Sequence, residues 1–289
     1  MVKDTCTSQL TELMVGKATT LEIDRVEIEN KEEVYEIRNI TVINNEKVKL
    51  LDNVSFTLKS GEILGIAGVS GSGQKELCES VCGLKKLESG ELLFMGEHME
   101  GRCPRDFQKK GISIGFVPED RLGMGLVGSM GIVDNLLLKE YYIPKGPFIK
   151  KGDIKKRALE LVGKLEIKTP SINHCVKQLS GGNIQKVLLG REIDLSPKVL
   201  ITSYAVRGLD IGATYKIYEL LNEEKKKGVS LLFIGEDIDV LLALCDRILV
   251  LCSGKVTGIV DARSVTKEQI GMMMGGKCLE QGGGDNSEN

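Results

Sequence analysis

The stretch Gly68-Val-Ser-Gly-Ser-Gly-Gln-Lys75 (GVSGSGQK) decides the fold through the segments on either side of it. The apolar run EILGIA before it predicts a buried strand, and ELCESVCGL after it has a helical pattern. In such an arrangement backbone N–H groups converge on an anion, and the helix N-terminus adds about half a positive charge. The sequence therefore predicts a cradle for phosphate, formed by Gly68, Ser70, Gly71, Ser72, Gly73, Gln74 and Lys75.

This loop departs from the common phosphate-binding pattern at two positions. GxxxxGK(S/T) fits at Gly68 and Gly73, but Gln74 replaces the lysine and Lys75 replaces the magnesium-binding hydroxyl. Glutamine carries no charge, and Lys75 cannot take over because one helical position turns a side chain by about 100°. A dinucleotide-binding GxGxxG loop is rejected because Glu76 stands at the third glycine position. A glycine turn that binds no ligand remains an alternative.

Composition narrows the classes of partner. With 289 residues and 42% hydrophobic content the chain can form a substantial core. Its 39 basic and 41 acidic side chains give a net charge of -2, which argues against nucleic acid as a partner. No apolar run approaches the roughly 20 residues of a membrane span, and the polar start is not a signal peptide. Eight cysteines without CxxC spacing, and only two histidines, predict reduced thiols in a cytosol and no metal site.

Short apolar strands alternate with helical stretches from about Tyr35 to Gly258, and no low-complexity linker divides them. EVYEIRNITVI, NVSFTL, EILGIAGV, ELLFM and ISIGFVP are predicted strands, followed by a mostly helical region from about Ile132 to Ile193. KVLITSY, SLLFIGED and RILVLCSGKVTGIV are then predicted to be buried strands. We therefore expect one α/β unit with a helical insertion inside a sheet domain.

A second motif is LSGGNIQKVLLGREI, Leu179 to Ile193, in which a Ser-Gly-Gly start precedes an apolar helical stripe. Such a start presents free N–H groups and a serine hydroxyl to an anion. On spacing alone it could be an ordinary capped helix. Together with the glycine loop about a hundred residues earlier, however, it resembles the ABC ATPase family, whose signature reads LSGGQ. The resemblance covers Tyr35 to Gly276 and rests on a specific order of motifs.

The resemblance implies a fold and a division into domains. We expect an α/β, ABC-type P-loop nucleotide-binding domain over residues 21–276, with an antiparallel β subdomain and an inserted helical subdomain at about 120–193. Residues 1–20 are expected to be the tail of a preceding ABC domain, because Leu10–Lys17 resembles Ile270–Lys277. The Gly- and Asn-rich end, 277–289, is expected to be disordered.

The resemblance also implies roles for single residues. Glu119 in FVPEDR stands where the family has the glutamine that couples nucleotide to the membrane partner. Ser203 and Tyr204 stand where the family has a magnesium-binding aspartate and then a glutamate base. Glu236 takes the place of the switch histidine, whereas Asp210 preserves the loop that follows the base.

These departures imply that the domain is deficient in hydrolysis at its own loop, since hydrolysis needs a metal, charge neutralisation and an oriented water. ABC domains pair head to tail, and each signature closes over the nucleotide of its partner. The implied cofactors are ATP and Mg²⁺, held weakly or only at the partner-shared site. The residues expected to complete that site are Ser180, Gly181, Gly182, Asn183, Gln185 and Asp210.

The forms GVxGxGQ, VPEDR, LSGGN and RGLDIGA are similar to the second half of tandem ATPases of simple-sugar and nucleoside importers. This implies as partners a catalytically competent ABC domain, two membrane permease subunits and, indirectly, a substrate-binding protein, at the cytoplasmic face of the cell membrane. Two alternatives stay open: a nucleotide-binding regulatory ABC protein without transport or hydrolysis, and a truncated product. Whether the chain alone is an enzyme also stays open.

Overall fold

The computed structural model describes residues 23–29, 31–102, 106, 114–141 and 151–277. The predicted tail at 1–20 and the predicted disorder at 278–289 lie outside the described residues. The strands are β1 (Glu33–Ile43), β2 (Lys49–Lys59), β3 (Ile63–Gly68), β4 (Ser89–Phe94), β5 (Glu97–His98), β6 (Ile114–Val117), β7 (Val199–Ser203), β8 (Ser230–Ile234), β9 (Arg247–Cys252) and β10 (Lys255–Asp261). The α-helices are α1 (Gln74–Val81), α2 (Ile132–Leu137), α3 (Gly152–Lys164), α4 (Gly181–Asp194), α5 (Ile211–Lys226), α6 (Ile238–Leu244) and α7 (Lys267–Met274).

Two sheets organise these elements. An antiparallel sheet has the order β2-β1-β4-β5, and a central sheet has the order β10-β9-β3-β8-β7-β6. In the central sheet β9, β3, β8, β7 and β6 run parallel, and β10 is antiparallel to β9. Every residue of β7 and of β8 is buried, as is typical of parallel strands covered on both faces.

Alternate residues of the central strands enter two different hydrophobic cores. Leu64 and Ile66 of β3 pack with the antiparallel sheet and with Leu77 of α1. Ile63 and Ala67 of the same strand pack on the opposite side with the remaining helices. The period of two along a strand thus places α1 between the two sheets, at the end of the glycine loop.

The helical insertion lies between β6 and β7. It begins with a π-helical turn (Arg121–Gly125), continues through α2 and α3, and reaches a 3₁₀ turn (Val176–Gln178) before α4. The helices approach closely at Gly190 of α4, where an added Cβ would lie 2.7 Å from Leu161 and from Leu165. The expected fold class, an α/β P-loop domain with an antiparallel β subdomain and a helical insertion, is confirmed.

The prediction of one buried stretch over RILVLCSGKVTGIV, residues 247–260, is wrong in detail. The segment forms a hairpin, β9 and β10, which turns at Ser253 and Gly254 with φ values of +48° and +78°. The positive φ values reverse the chain at Ser253-Gly254, where a polar residue and a glycine interrupt the apolar run. β10 lies at the sheet edge, and its five interior residues are only half-buried.

Candidate functional site

The glycine loop between β3 and α1 is shaped by its own glycines. Gly71 and Gly73 have φ values of +86° and +104°, a region that other residues rarely adopt. A Cβ on Gly73 would lie 2.8 Å from the carbonyl oxygen of Leu50, so only glycine fits against β2. The N–H of Ser72 donates to the carbonyl of Val69 at 3.0 Å. A tight loop therefore leads directly into a helix N-terminus, as an anion cradle requires.

Gln74 and Lys75 point in different directions from the start of α1. Gln74 is buried, and its Nε2 donates to the carbonyl of Val69 at 3.1 Å. A Cβ on Gly68 would lie 2.7 Å from that Nε2, so the amide packs inside the loop. Lys75 is exposed, and its Nζ lies 3.8 Å from Glu79 one helical turn on. The position that faces the loop thus carries a neutral amide.

Ser203 is the last residue of strand β7, and Tyr204 follows it. Ser203 is buried, while Tyr204 is half-buried and has φ +51°, which is strained for a bulky residue. The N–H of Tyr204 donates to the carbonyl of Ile234 at the end of β8, at 3.1 Å. Burial, and then Glu119 and Glu236 nearby, raise the pKa of the Tyr204 phenol. The phenol is therefore a neutral hydrogen-bonding group that cannot act as a carboxylate base at neutral pH.

Arg207 joins the two glutamates that stand at the coupling and switch positions. Its Nη1 donates to Glu119, which follows β6, and its Nε lies 3.1 Å from Glu236, which follows β8. Its guanidinium carbon lies 5.9 Å from the centre of the Tyr204 ring. The hydrogen bond to Glu119, then the charges of Glu236 and Glu119, raise the pKa of Arg207. The four side chains form one cluster, the Arg207 cluster, over the ends of three neighbouring strands.

A second arginine, Arg121, connects this cluster to the helical insertion. Its Nη2 donates to the carbonyl of Arg207, and its Nε donates to Oε1 of Gln185 at 2.7 Å. Gln185 lies on α4 and is fully buried. Burial lowers the pKa of Arg121. The predicted motifs FVPEDR, RGLDIGA and LSGGN are therefore linked by hydrogen bonds within one chain.

A cleft of about 270 Å³ lies between α1 and the segment after β6. Its charged lining consists of Lys75 and three acids, Glu79, Glu119 and Asp120. Neither the magnesium ion nor the terminal phosphate of ATP fits this lining well. Lys75 and Ser203 stand where the resemblance leads one to expect a metal-binding hydroxyl and a carboxylate, and the three acids beside one cation disfavour a phosphate. Among the described residues, no group of three or more His, Cys, Asp or Glu side chains could hold a metal ion.

The signature lies at the N-terminus of α4. Ser180 precedes the helix and makes no side-chain bond to its backbone, so its hydroxyl is not used as a cap. Instead Oγ accepts from Nδ2 of Asn183 at 2.8 Å, and Oδ1 of Asn183 accepts from the N–H of Lys168 at 2.9 Å. Gly182 approaches α5, where an added Cβ would lie 3.3 Å from that of Ala213. The signature is thus an ordered helix start with an exposed hydroxyl.

A wide opening of about 600 Å³ lies beside the signature. The N-termini of α4 and α5 both contribute to it, and Asp210 caps α5 by accepting from the N–H of Ala213 at 2.8 Å. Burial lowers the pKa of Lys186, whose ammonium group borders the opening. The helix N-termini and the Ser180 hydroxyl suit a polyphosphate. Beside Ser180, Gly182 and Asn183, the charged side chains of the lining are balanced, with Lys168, Lys186 and Lys216 against Glu166, Asp210 and Glu219.

The predicted residues thus fall into two groups on this chain. The loop residues 68–75, Ser203, Tyr204, Glu119 and Glu236 surround the end of the central sheet, whereas Ser180, Gly182, Asn183 and Asp210 line the separate opening. Gln185, which was predicted with the second group, is fully buried and bonded to Arg121, and it does not face the opening. Sequence reasoning gave no role to Arg207 or Arg121, although both lie inside quoted motifs. The only available signal was that each of these two motifs contains an arginine. The residues that the arginines contact are distant in sequence, so the contacts could not be predicted.

The parallel sheet, the glycine loop leading into α1 and the helical insertion with its signature define a P-loop nucleotide-binding domain of the cassette type. The family described as "ABC transporter" matches residues 51–202. The chain belongs to the ABC transporter family of ATP-binding proteins.

Curated relatives extend this assignment. The chain is 35% identical to the guanosine import ATP-binding protein NupO of Bacillus subtilis over 98% of its own length and 56% of NupO. It is 38% identical to the xylose import ATP-binding protein XylG of Thermoanaerobacter pseudethanolicus over 89% of its length and 52% of XylG. The chain therefore spans about half the length of the curated relatives it matches.

A solved structure agrees with the fold. The ATP-binding cassette MJ0796, in a dimer bound to ADP and Pi, is 26% identical, with a TM-score of 0.70. The match covers 80% of this chain and 100% of that one. In the described part of the chain, no helix combines the length and the apolar character needed to cross a membrane.

Proposed function

We propose that the chain is the ATP-binding half of an importer for simple sugars or nucleosides, and that it lends its signature to a partner's ATP site while its own loop does not hydrolyse ATP. One observation carries the proposal: the signature side is open to a ligand, whereas the loop side is occupied by ion pairs. Ser180 is exposed beside an opening of about 600 Å³, whereas the place of the switch and coupling residues is taken by ion pairs to Arg207.

The chemistry at the loop supports a loss of hydrolysis. Gln74 offers the phosphates a neutral amide that already donates to Val69. Ser203 and Tyr204 supply neither a carboxylate for magnesium nor a base for water. Loss of one electrostatic stabiliser commonly costs about 10²- to 10³-fold in rate, so these differences together leave negligible turnover. The loop backbone still suits a nucleotide phosphate, which makes it a cradle without catalysis.

The signature side supports a role in a shared site. The N–H groups at the start of α4 and the Ser180 hydroxyl would contact the phosphates of ATP held by the partner domain, and Mg²⁺ would be held by the partner's own residues. ATP would supply the energy that drives transport. Asp210, at the start of α5 beside the same opening, would lie at the interface between the two domains.

Exposed apolar side chains support a contact with membrane subunits. They lie on the π-helical turn and on the segments around α2, immediately after Glu119. We place the permease contact on this surface, at the cytoplasmic face of the membrane, with the substrate-binding protein reached only through the permeases. The exposed side chains are Leu122, Met124, Val127, Leu138 and Tyr141.

The test assembles the chain with a catalytically competent ABC domain and permease subunits and measures transport-coupled ATP hydrolysis. Ser180→Tyr should lower hydrolysis about a hundredfold, because the ring fills the place of the phosphates. Ser264→Tyr, at an exposed serine near the start of α7, is the matched control and should stay within twofold of the unmodified chain. Unchanged hydrolysis in Ser180→Tyr would sink the proposal.

A second measurement addresses the loop. Titration calorimetry of the isolated chain with Mg-ATP should give no magnesium-dependent turnover. Micromolar binding accompanied by turnover would contradict the loss of hydrolysis, even if the signature result held.

A further inference from the structure

Arg207 is placed to join two loops that are far apart in the sequence. It lies in the turn after β7, while Glu119 follows β6 and Glu236 follows β8. Because β6, β7 and β8 are neighbours in the central sheet, an arginine from the middle strand reaches both sides. The two carboxylates hold it from opposite directions, through Nη1 and Nε.

The link continues from this cluster to the signature helix. Arg121 donates to the carbonyl of Arg207 and to Gln185. Gln185 is little more than one helical turn beyond Ser180, so Arg121 holds the end of α4 that carries the signature. Glu236 is therefore connected to α4 by an ion pair to the Arg207 side chain and by hydrogen bonds from Arg121 to the main-chain carbonyl of Arg207 and to Gln185. The Arg207 side chain acts on this link by fixing the turn that presents its carbonyl.

The other end of α4 is fixed independently. Glu192 is fully buried, accepts from the N–H of Phe116 in β6 at 3.3 Å and pairs with Lys139 at 2.9 Å. With this end anchored, loss of Arg121 contacts would free mainly the N-terminal end. The N-terminal end, which Asn183 also ties to Lys168, is thus the part of α4 whose orientation the Arg121 contacts support.

We infer that Arg207 is a positioning residue, a latch that holds the signature helix in a fixed orientation without nucleotide by joining Glu119 to Glu236 and by supporting Arg121. The contribution of the latch to a partner's ATP site rests on the proposed function, but the latch itself can be measured in this chain alone. Exposed ion pairs are individually weak. Loss of the Arg207 pairs should therefore increase local opening of the structure while the fold is retained.

The first experiment is amide hydrogen exchange on the nucleotide-free chain of 289 residues. Arg207→Ala should speed exchange about three- to tenfold at residues 119–127 and 181–189, and leave β7 and β8 protected. Arg38→Ala is the matched control, because Arg38 is similarly exposed and also faces two glutamates, Glu36 and Glu91. It should leave both segments unchanged. Equal exchange at 181–189 in Arg207→Ala and in the unmodified chain would overturn the latch.

A double-mutant cycle separates the ion pairs from other effects of truncation. In a Glu119→Gln, Glu236→Gln background, Arg207→Ala should add less than about twofold to exchange at 181–189, because the charged partners are already gone. If the full increase persists, the glutamates do not act through Arg207 and the inference fails. In salt of 1 M, where the Debye length is about 3 Å, the unmodified chain should approach the variant.

The assembled ATPase provides a readout that a merely structural role would not move. Arg207→Ala should raise KM for ATP about three- to tenfold with kcat within twofold, because the signature-competent state becomes less populated. Arg207→Lys, which keeps the charge, should recover part of the change. A fall in kcat at unchanged KM would indicate lost folded protein and would overturn the positioning role. Failure of the Ser180→Tyr test would instead refute the proposed function and leave the exchange results standing.

Discussion

Replacement of Asp246 by alanine should destabilise the whole domain, because this carboxylate is the main partner of a buried lysine. Lys225 of α5 has no exposed side-chain surface, and its Nζ lies 2.8 Å from Asp246. The Lys225 ammonium contacts both carboxylate oxygens. Of these, Oδ2 also accepts from the N–H of Ile63 at 2.8 Å, and Nζ of Lys31 lies 3.3 Å from Oδ1. The residue thus joins α5 to the starts of β3 and β9.

The expected magnitude follows from these contacts. Breaking a buried ion pair by removing one partner costs about 3–5 kcal/mol, and an unpaired backbone N–H costs about 1–3 kcal/mol. Because water entering the space relieves part of both, we expect about 4 kcal/mol in total, against a typical domain stability of about 5–15 kcal/mol. Urea denaturation at pH 7.5 measures the change in the free energy of unfolding.

The matched background is Lys225→Met, which removes the buried charge and keeps an apolar stem of similar length. In that background Asp246→Ala should cost only about 1–3 kcal/mol, the share of the Ile63 N–H. Equal costs in the two backgrounds, or a cost below about 1 kcal/mol in the unmodified chain, would refute the assignment of the pair as a structural ion pair.

Three further predictions concern the loop, the thiols and the helical insertion. Gln74→Lys should tighten ATP binding about tenfold in calorimetry, because an ammonium group replaces a neutral amide, yet leave turnover undetectable; measurable turnover would refute this. Burial raises the pKa of Cys78, Cys82 and Cys245. Stability should therefore fall above pH 8.5, by about 2 kcal/mol per thiol at pH 10, as unfolded thiols ionise first; a flat urea profile would contradict it. Asn135→Leu, which removes bonds to the Val127–Gly131 turn, should lower the unfolding free energy by about 2–4 kcal/mol, and Asn135→Asp should cost at least as much in the same assay, because it sets a buried carboxylate against three carbonyl oxygens; a cost below about 1 kcal/mol for either would contradict the role of these bonds.

Local patterns predicted the fold well because its main features are local in sequence. The spacing of Gly68 and Gly73 fixes a turn between a strand and a helix, and the apolar runs of β7 and β8 require burial on both faces. The hairpin of β9 and β10 was missed because the short interruption at Ser253-Gly254, a turn signal, separates two apolar runs that look alike. A period of two cannot distinguish one long strand from two short ones.

The candidate site was predicted less completely, for reasons of distance. Arg207 and Glu119 are 88 residues apart, and Arg121 and Gln185 are 64 apart, and no spacing rule links such positions. The positive φ of Tyr204 could not be predicted either, since the residue type tyrosine does not indicate a positive φ. The structure imposes it through the bond to Ile234 and the position of Arg207 beside the ring.

The two groups of site residues can diverge because they are built on different supports. Gln74 and Ser203 lie on α1 and β7, in the core between the sheets, and changes there need only preserve packing. Ser180 is held by Asn183 and, through α4, by the helical insertion, so it keeps its geometry when the loop chemistry changes. Arg207 pairs with Glu119 and Glu236, the residues at the expected coupling and switch positions, and so connects these two positions. If the proposed function holds, the loss of hydrolysis at the loop and the ordering of the signature are connected through Arg207.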